Sequence, residues 1–147
     1  MQIRRATAED EDEVISLIQL FPPSEITVDW KDARRTYQQV VKNPDLGSIL
    51  VAEDNGEVVD VITLSYPTAI RCGGLYTCIE EFVVAERVRG QGMGSRLLQE
   101  AIAEATSKGC YEIQVNNPSE LGYPLYLRHG LKDIGKHLKT ELPHQRR

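Results

Sequence analysis

Apolar side chains follow a helical spacing in the first third of the chain. The first stripe is Val14, Leu17, Ile18 and Phe21, and the second is Trp30, Ala33, Tyr37, Val40 and Val41. A period near 3.6 residues predicts two amphipathic helices. Pro22 and Pro23 separate them, and Pro44 ends the second, because proline lacks the N–H that a helix interior needs. A short strand is predicted before both, over residues 1–5.

The middle of the chain changes to the short apolar runs that are typical of strands. Residues 49–53 and 58–66 are joined by Asp54-Asn55-Gly56-Glu57. An Asn-Gly step between two such runs is the strongest short-range signal of a β-hairpin. A third strand is predicted over residues 75–84. These strands together predict an antiparallel meander.

The last third returns to helical spacing and then alternates short elements. The helical stripe consists of Leu97, Leu98, Ala101, Ile102 and Ala105. Lys108-Gly109 closes that helix, and we then predict a strand over 111–115, a short helix over 123–128 and a last strand over 131–142. Hairpins therefore precede a β-α-β crossover. This order predicts a mixed α/β sheet with helices packed on it, in a single domain over residues 1–147.

Charge and composition narrow the classes of function. The chain has 147 residues, the size of one domain, and a formal net charge of -5. This balance argues against nucleic-acid binding, because phosphate backbones require Lys and Arg. Apolar runs fall short of the roughly 20 residues of a membrane span, and acids follow the N-terminal residues, so we expect a cytoplasmic protein without membrane contact. Three cysteines without a C-x-x-C pair favour reduced thiols over a disulfide or zinc site.

The glycine-rich stretch Arg89-Gly90-Gln91-Gly92-Met93-Gly94 lies between a predicted strand and a predicted helix. Glycines let the backbone adopt positive φ and approach a ligand closely. The free N–H groups and the positive dipole end of the next helix then favour a phosphate or diphosphate. No Lys follows as in a P-loop, and Ser95 stands where the dinucleotide fingerprint G-x-G-x-x-G needs glycine. The stretch therefore predicts another kind of phosphate site.

Two motifs carry a resemblance to a known family. Arg89–Gly94 matches every fixed position of Q/R-x-x-G-x-G/A, and Leu125–Leu131 is similar to Y-x-x-x-G-F/L. Phe82-Val83-Val84 before the first motif and Leu97-Leu98 after it also fit. With both motifs at this separation on this order of elements, the sequence resembles the GNAT family of N-acetyltransferases. The resemblance implies a mixed, mostly antiparallel sheet of six to seven strands flanked by about four helices.

The resemblance also implies a reaction and a cofactor. Acetyl-CoA is expected to donate its acetyl group to a primary amine by direct attack in a ternary complex, without a metal. Backbone N–H groups of the glycine stretch are expected to hold the diphosphate, and an open strand around Phe82 is expected to pair with the pantetheine arm. The implied cofactor-binding residues are Phe82, Val83, Val84, Arg89, Gly90, Gln91, Gly92, Met93, Gly94, Ser95, Asn117 and Tyr126.

A protonated amine is no nucleophile, so the reaction needs a general base, and the departing thiolate benefits from a general acid. Glu80 and Glu81 lie on the strand that faces the cofactor. Strict alternation puts them on opposite faces, and we expect Glu80 to be the base and Glu81 to bind the amine, although the reverse assignment stays open. Tyr126 aligns with the family's general acid. His129 is expected to cap a helix or lie at the surface.

The acceptor is the least specified part of the prediction. By the resemblance, the first two helices and their connection select it. Glu25 and Asp29 are candidates to attract an amine, Trp30 to cover it by cation–π contact, and Tyr123 to line the acceptor side. The alternatives are a small-molecule amine, a peptide amine, and a non-catalytic acyl-CoA sensor. If the chain forms a homodimer, the expected edge is the last strand, over 131–142.

Overall fold

The computed structural model describes residues 1–22 and 26–143, in which the chain forms four helices and seven strands. The helices are α1 (Glu11–Ile18), α2 (Trp30–Lys42), α3 (Met93–Ser107) and α4 (Tyr123–Arg128). The strands are β1 (Gln2–Arg5), β2 (Gly47–Asp54), β3 (Glu57–Ser65), β4 (Thr68–Ala69), β5 (Gly74–Leu75), β6 (Thr77–Val84) and β7 (Ile113–Val115). This order confirms the predicted one up to α4. Within the same residues no helix has the length and apolar character needed to cross a bilayer.

One five-stranded sheet forms the centre of the molecule, in the order β1-β2-β3-β6-β7. Its first three pairings are antiparallel and the last, β6 with β7, is parallel. Strands β4 and β5 form a separate two-stranded hairpin. The mixed, mostly antiparallel character of the sheet is confirmed, although the seven strands divide into a sheet of five and a hairpin of two. The predicted third strand is shorter than expected, since residues 74–75 pair with β4 and β6 begins at Thr77.

The predicted hairpin between β2 and β3 is confirmed. Asn55 has φ of 51° and Gly56 has φ of 82°. Positive φ at both central residues is the geometry of a type I′ turn, whose twist matches that of the flanking strands. The turn residues therefore determine the register between β2 and β3, two strands that contribute side chains to both cores.

Apolar side chains from the two faces of the sheet form two cores. On one face, Leu50, Ile62 and Leu64 pack with Leu97 and Leu98 of α3. On the other face, strand residues pack against α1 and α2, and this set is Val14, Leu17, Tyr37, Ile49, Val51, Val61 and Val83. Full burial of one such aliphatic side chain contributes about 1.5–3 kcal/mol. The sheet is therefore held rigidly between α3 and the α1–α2 pair.

The predicted last strand is wrong. Within the described part of residues 131–143 the chain forms no strand or helix. Its apolar residues Leu131, Ile134, Leu138 and Leu142 are three or four positions apart, which a strand cannot gather on one face. Ile134 is 89% exposed and Leu138 is 88% exposed. Without alternation this segment has no apolar face to pair against the sheet.

Candidate active site

The parallel pair β6 and β7 separates halfway along β6. Pairing runs from Thr77 with Ile113 to Ile79 with Val115, and β6 then continues alone on this side to Val84. A cleft of about 2170 Å³ adjoins this point, and both strands contribute to its lining. Typical ligand pockets measure about 300–1,000 Å³. The cleft is therefore large enough for an extended cofactor arm and a second substrate, beside backbone groups that a strand-like ligand can pair with.

The glycine stretch forms the entry to α3. Gly90 has φ of 81° and Gly92 has φ of 79°, values that L side chains adopt only with strain. Gly92 caps α3 without any side chain accepting from the first turn. The N–H groups of that turn are thus directed out of the helix with no intrahelical partner. Such an uncapped N-terminus is an anion site, which suits a diphosphate.

Three arginines lie near this entry, and they differ in whether their charge is already paired. Arg87 forms an ion pair with Glu57 at 2.8 Å. Arg89 donates from Nε to the carbonyl oxygen of Val84 at 3.2 Å. Arg96 and the Nη groups of Arg89 form no ion pair with any described residue. Arg89 and Arg96 therefore have charge available for phosphate, whereas Arg87 is already neutralised.

Not every predicted cofactor residue offers its side chain to the cleft. Phe82, Asn117 and Tyr126 line the cleft. Val83 is buried in the α1–α2 core, and Met93 is buried against the sheet. Only the backbone of these two residues is available to a ligand. Sequence reasoning had no signal for which side chains turn inward.

Ser95 and His129 form a contact that could not be predicted from the sequence pattern. The Ser95 hydroxyl lies 2.7 Å from His129 Nε2. Ser95 is in the first turn of α3, and His129 is the C-cap of α4, which confirms its predicted capping position. The hydrogen bond joins the two helices that carry the glycine entry and Tyr126.

Glu80 and Glu81 lie on the same face of the sheet, contrary to the alternation expected from sequence. Thr63 pairs with Glu81 and Leu64 pairs with Ile79, so Glu80 is the extra residue of a β-bulge. The Ser65 hydroxyl donates to Glu80 Oε2 at 2.7 Å, and the Thr63 hydroxyl donates to Glu81 Oε1. Since Thr63 and Ser65 are two residues apart on β3, both carboxylates point to the α1–α2 side, where they line the cleft.

The two carboxylates differ in their surroundings. Glu80 is exposed and Glu81 is half-buried. Burial raises the pKa of Glu81, the nearby charge of Glu80 raises it further, and the hydrogen bond from Thr63 acts in the opposite direction. A carboxylate with a raised pKa is a stronger base than an ordinary one. The arrangement therefore suits Glu81 to accept a proton in the cleft.

Tyr126 is buried next to Phe82. It is 6% exposed, and its ring centroid is 6.1 Å from that of Phe82. Burial raises the pKa of its phenol to about 12. The hydroxyl donates to no residue that the structure describes. A phenol that stays protonated at neutral pH and has no internal acceptor can donate to a ligand.

The predicted acceptor residues separate into three groups. Trp30 and Tyr123 line the cleft. The Asp29 side chain instead accepts from the N–H of Lys31 at 2.8 Å as the N-cap of α2, and it does not line the cleft. Glu25 lies outside the described residues. The Tyr123 hydroxyl is committed to Asp133 at 3.1 Å.

The C-terminal segment, residues 131–142, also lines the cleft. Its Glu141 accepts from the Thr27 hydroxyl at 2.8 Å, which connects the segment to the α1–α2 connection. The lysines of this segment are Lys132, Lys136 and Lys139. None of them forms an ion pair with the rest of the described chain. The cleft is therefore lined by the carboxylates of Glu80 and Glu81 on β6 and by three lysines of the C-terminal segment, which also carries Asp133 and Glu141. No grouping of three His, Cys, Asp or Glu side chains in residues 1–22 and 26–143 is arranged to hold a metal ion.

Comparison with known proteins identifies the family that this chain resembles. The family model described as the acetyltransferase (GNAT) family matches residues 11–131. The chain is 32% identical over 133 residues to an aminoalkylphosphonate N-acetyltransferase from Salmonella typhimurium, covering 89% of this chain and 84% of that protein. It is 31% identical over 98 residues to an S-alkylcysteine N-acetyltransferase from Bacillus subtilis, covering 65% of this chain and only 55% of that protein.

A solved structure agrees with the fold. An integron cassette protein from the mobile metagenome of Cole Harbour Salt Marsh superposes with a TM-score of 0.84 at 23% identity, covering 98% of this chain and 91% of that one. At this identity the likeness concerns the fold alone. The family match extends over most of the chain and includes both sequence motifs. The resemblance is confirmed: the chain belongs to the GNAT family of acetyl-CoA-dependent N-acetyltransferases.

Proposed function

We propose that this protein transfers the acetyl group of acetyl-CoA to the primary amine of a small molecule, by direct attack in a ternary complex. The observation that carries the proposal is the uncapped glycine entry of α3 beside the unpaired end of β6. The backbone N–H groups of residues 91–95 hold the diphosphate, with Arg89 beside them. The pantetheine arm pairs with the backbone of residues 82–84 and passes Asn117 and Tyr126.

Glu81 is proposed as the general base, with Glu80 as the group that attracts the amine. The half-buried position and raised pKa of Glu81 support this assignment over the reverse one. Glu81 takes a proton from the ammonium group, directly or through a water molecule. The free amine attacks the thioester carbonyl, so that the C–N bond forms and the C–S bond breaks. Tyr126 gives its proton to the departing thiolate, and the nitrogen gives up its second proton to restore the Tyr126 phenol. The products are the amide and coenzyme A, and Glu81 returns its proton to solvent.

The acceptor is proposed to carry an acid group as well as its amine. Glu80 and Glu81 attract the ammonium end, and Lys132, Lys136 and Lys139, which line the same cleft without an ion pair to a described residue, suit an anionic end. Trp30 and Phe21 offer an apolar wall for the part between them. The names of the two curated relatives point in the same direction, because S-alkylcysteine and aminoalkylphosphonates each combine an amine with an acid.

The test measures thiol release from acetyl-CoA with a panel of amines. Amino acids with alkyl or thioether side chains and aminoalkylphosphonates are compared with alkylamines of the same length and with a lysine-containing peptide. We expect turnover with the acid-bearing amines and at least tenfold lower kcat/KM with the plain amines. Preference for the peptide would assign the protein to the peptide N-acetyltransferases. Binding of acetyl-CoA without turnover of any amine would indicate a sensor.

A further inference from the structure

Asp60 is a buried carboxylate that the proposed transfer reaction does not use. It lies on β3, the central strand of the sheet, and is 0% exposed. Its Oδ1 accepts a hydrogen bond from the backbone N–H of Ala85 at 3.2 Å. Its Oδ2 accepts none from any residue that the structure describes. Because aspartate is almost never fully buried unless it is paired, the fold alone does not explain this residue.

Ala85 is the junction between β6 and the segment that enters α3. It is the first residue after β6 and the N-cap of the 3₁₀ turn Glu86–Val88, which leads into the glycines. Its N–H is shared between the Asp60 carboxylate and the carbonyl oxygen of Val59, the latter at 2.9 Å. The Asp60 carboxylate therefore helps to fix the direction in which the chain leaves β6.

The glycine stretch is anchored at two points on the strand surface next to Asp60. Val88 precedes the stretch, Met93 lies within it between Gly92 and Gly94, and each is 3% exposed. They pack in one cluster with Val59 and Ala52, the immediate neighbours of Asp60 on β3 and β2. A change at Asp60 thus reaches the loop through the Ala85 N–H and through this cluster.

We propose that Asp60 is a positioning residue for the cofactor loop and that it takes up a proton when acetyl-CoA binds. The proposal rests on the proposed function, because it assigns the diphosphate to residues 91–95. A bound diphosphate brings negative charge to the loop that Asp60 supports. Negative charge nearby disfavours the ionised form of a buried carboxylate, so a proton passes from solvent to Asp60 Oδ2. By linkage, the protein with neutral Asp60 binds the cofactor more tightly.

The charges around Asp60 determine the direction of the pH dependence. Burial raises the pKa of Asp60 to about 6, while the hydrogen bond from Ala85 and the charge of Arg87 act in the opposite direction. Arg87 comes from the 3₁₀ turn, and the facing residues on β2 and β6, Ala52 and Val84, are uncharged. Below this pKa the carboxyl is already neutral. Above it a proton must be taken up on binding, so the affinity falls as the pH rises.

The experiment titrates acetyl-CoA calorimetrically into wild-type protein and Asp60→Asn at several pH values, in two buffers of different ionisation enthalpy. Asparagine keeps an oxygen for the Ala85 N–H and imitates the neutral acid. Between acid and neutral pH, the Kd of wild type should increase more than the Kd of Asp60→Asn. If the cofactor raises the pKa of Asp60 by one unit, this additional increase is up to about tenfold. Wild type also takes up more protons. The cofactor phosphates and Glu81 titrate in both proteins, so the difference isolates Asp60.

Two further variants make the test decisive. Asp45→Asn removes an exposed carboxylate that lies 3.8 Å from Lys108 and should reproduce the wild-type profile. Arg87→Gln removes a charge that lowers the pKa of Asp60, so the dependence of Kd on pH should move to higher pH. This variant tests the proposal even if Asp60→Asn fails to fold. Identical profiles for wild type and Asp60→Asn, or an unshifted profile for Arg87→Gln, would overturn the role of Asp60. Failure of wild type to bind acetyl-CoA at any pH would instead overturn the proposed function.

Discussion

At the scale of single residues, the proposed chemistry depends on surroundings that give similar side chains different pKa values. Glu80 and Glu81 are neighbours, yet one is exposed and the other is half-buried with a raised pKa. Burial raises the pKa of the Tyr126 phenol to about 12, further above neutral pH than its ordinary value of 10. Groups whose environments move their pKa values apart are suited to separate acid and base roles.

Replacing Glu81 with glutamine should remove the base. We expect kcat/KM for the amine to fall by about 10²–10⁴-fold, the usual contribution of general acid–base catalysis. In wild type, activity should rise with pH through the raised pKa of Glu81, because only the ionised carboxylate accepts a proton. The variant should lose that limb of the pH–rate profile. Glu80→Gln is the matched control, and loss of the limb there instead would exchange the two roles.

Replacing Tyr126 with phenylalanine should lower turnover and leave cofactor binding nearly unchanged. The ring and its contact with Phe82 remain, and only the proton for the thiolate is lost. We expect at least a tenfold decrease in kcat, with a Kd for acetyl-CoA within about twofold of wild type. Steady-state kinetics and calorimetry measure the two quantities. Wild-type turnover across the pH range would contradict the acid role.

At the scale of elements, the parts that could be predicted from sequence are those that local chemistry determines. The Asn55-Gly56 turn predicts its hairpin, and the glycines before a helical stripe predict the entry to α3. The bulge at Glu80 depends on the register between β6 and β3, and the separation of β6 from β7 depends on where a distant strand ends. The segment over 131–142 is coil instead of the predicted strand, because its apolar residues are three or four positions apart and do not alternate. Long-range register leaves no such local signal.

The two ends of α3 offer a matched pair of substitutions. Gly92 has φ of 79° and Gly109 has φ of 80°, and an added Cβ meets no atom within 4 Å at either position. Replacing either glycine with alanine should lower the free energy of unfolding by about 1–2 kcal/mol, because alanine is strained at positive φ. Only Gly92→Ala should also weaken acetyl-CoA binding. Equal Kd values for the two variants would show that the entry to α3 does not hold the cofactor.

At the scale of the whole molecule, the candidate site is assembled around β6. Strand β6 carries Glu80 and Glu81, whose carboxylates accept hydrogen bonds from hydroxyls of β3. Helix α4 carries the Tyr126 phenol, and the chain that leaves β6 forms the glycine entry to α3. The same sheet also buries Asp60 between the cofactor loop and the core. A homodimer stays a prediction, since the edge expected to form it over 131–142 is not a strand.

Burial of Asp60 should make the fold less stable at neutral than at acid pH. Its folded pKa of about 6 exceeds the ordinary value of 3.8, so the folded state holds the proton more tightly. The free energy of unfolding should therefore fall as the pH rises through this interval and stay low above it. Asp60→Asn should exceed wild type in stability at pH 7.5 by up to about 3 kcal/mol. Urea unfolding at two pH values measures this, and a variant less stable than wild type at both would contradict it.

The most direct test of the central claim is calorimetric titration of acetyl-CoA into the wild-type protein, with NADH and ATP as controls. We expect selective binding of acetyl-CoA with a Kd in the micromolar range, about 8 kcal/mol of binding free energy. NADH and ATP should bind at least tenfold more weakly. No heat with acetyl-CoA at several temperatures, or equal binding of all three ligands, would contradict the assignment of the glycine entry as a coenzyme A site.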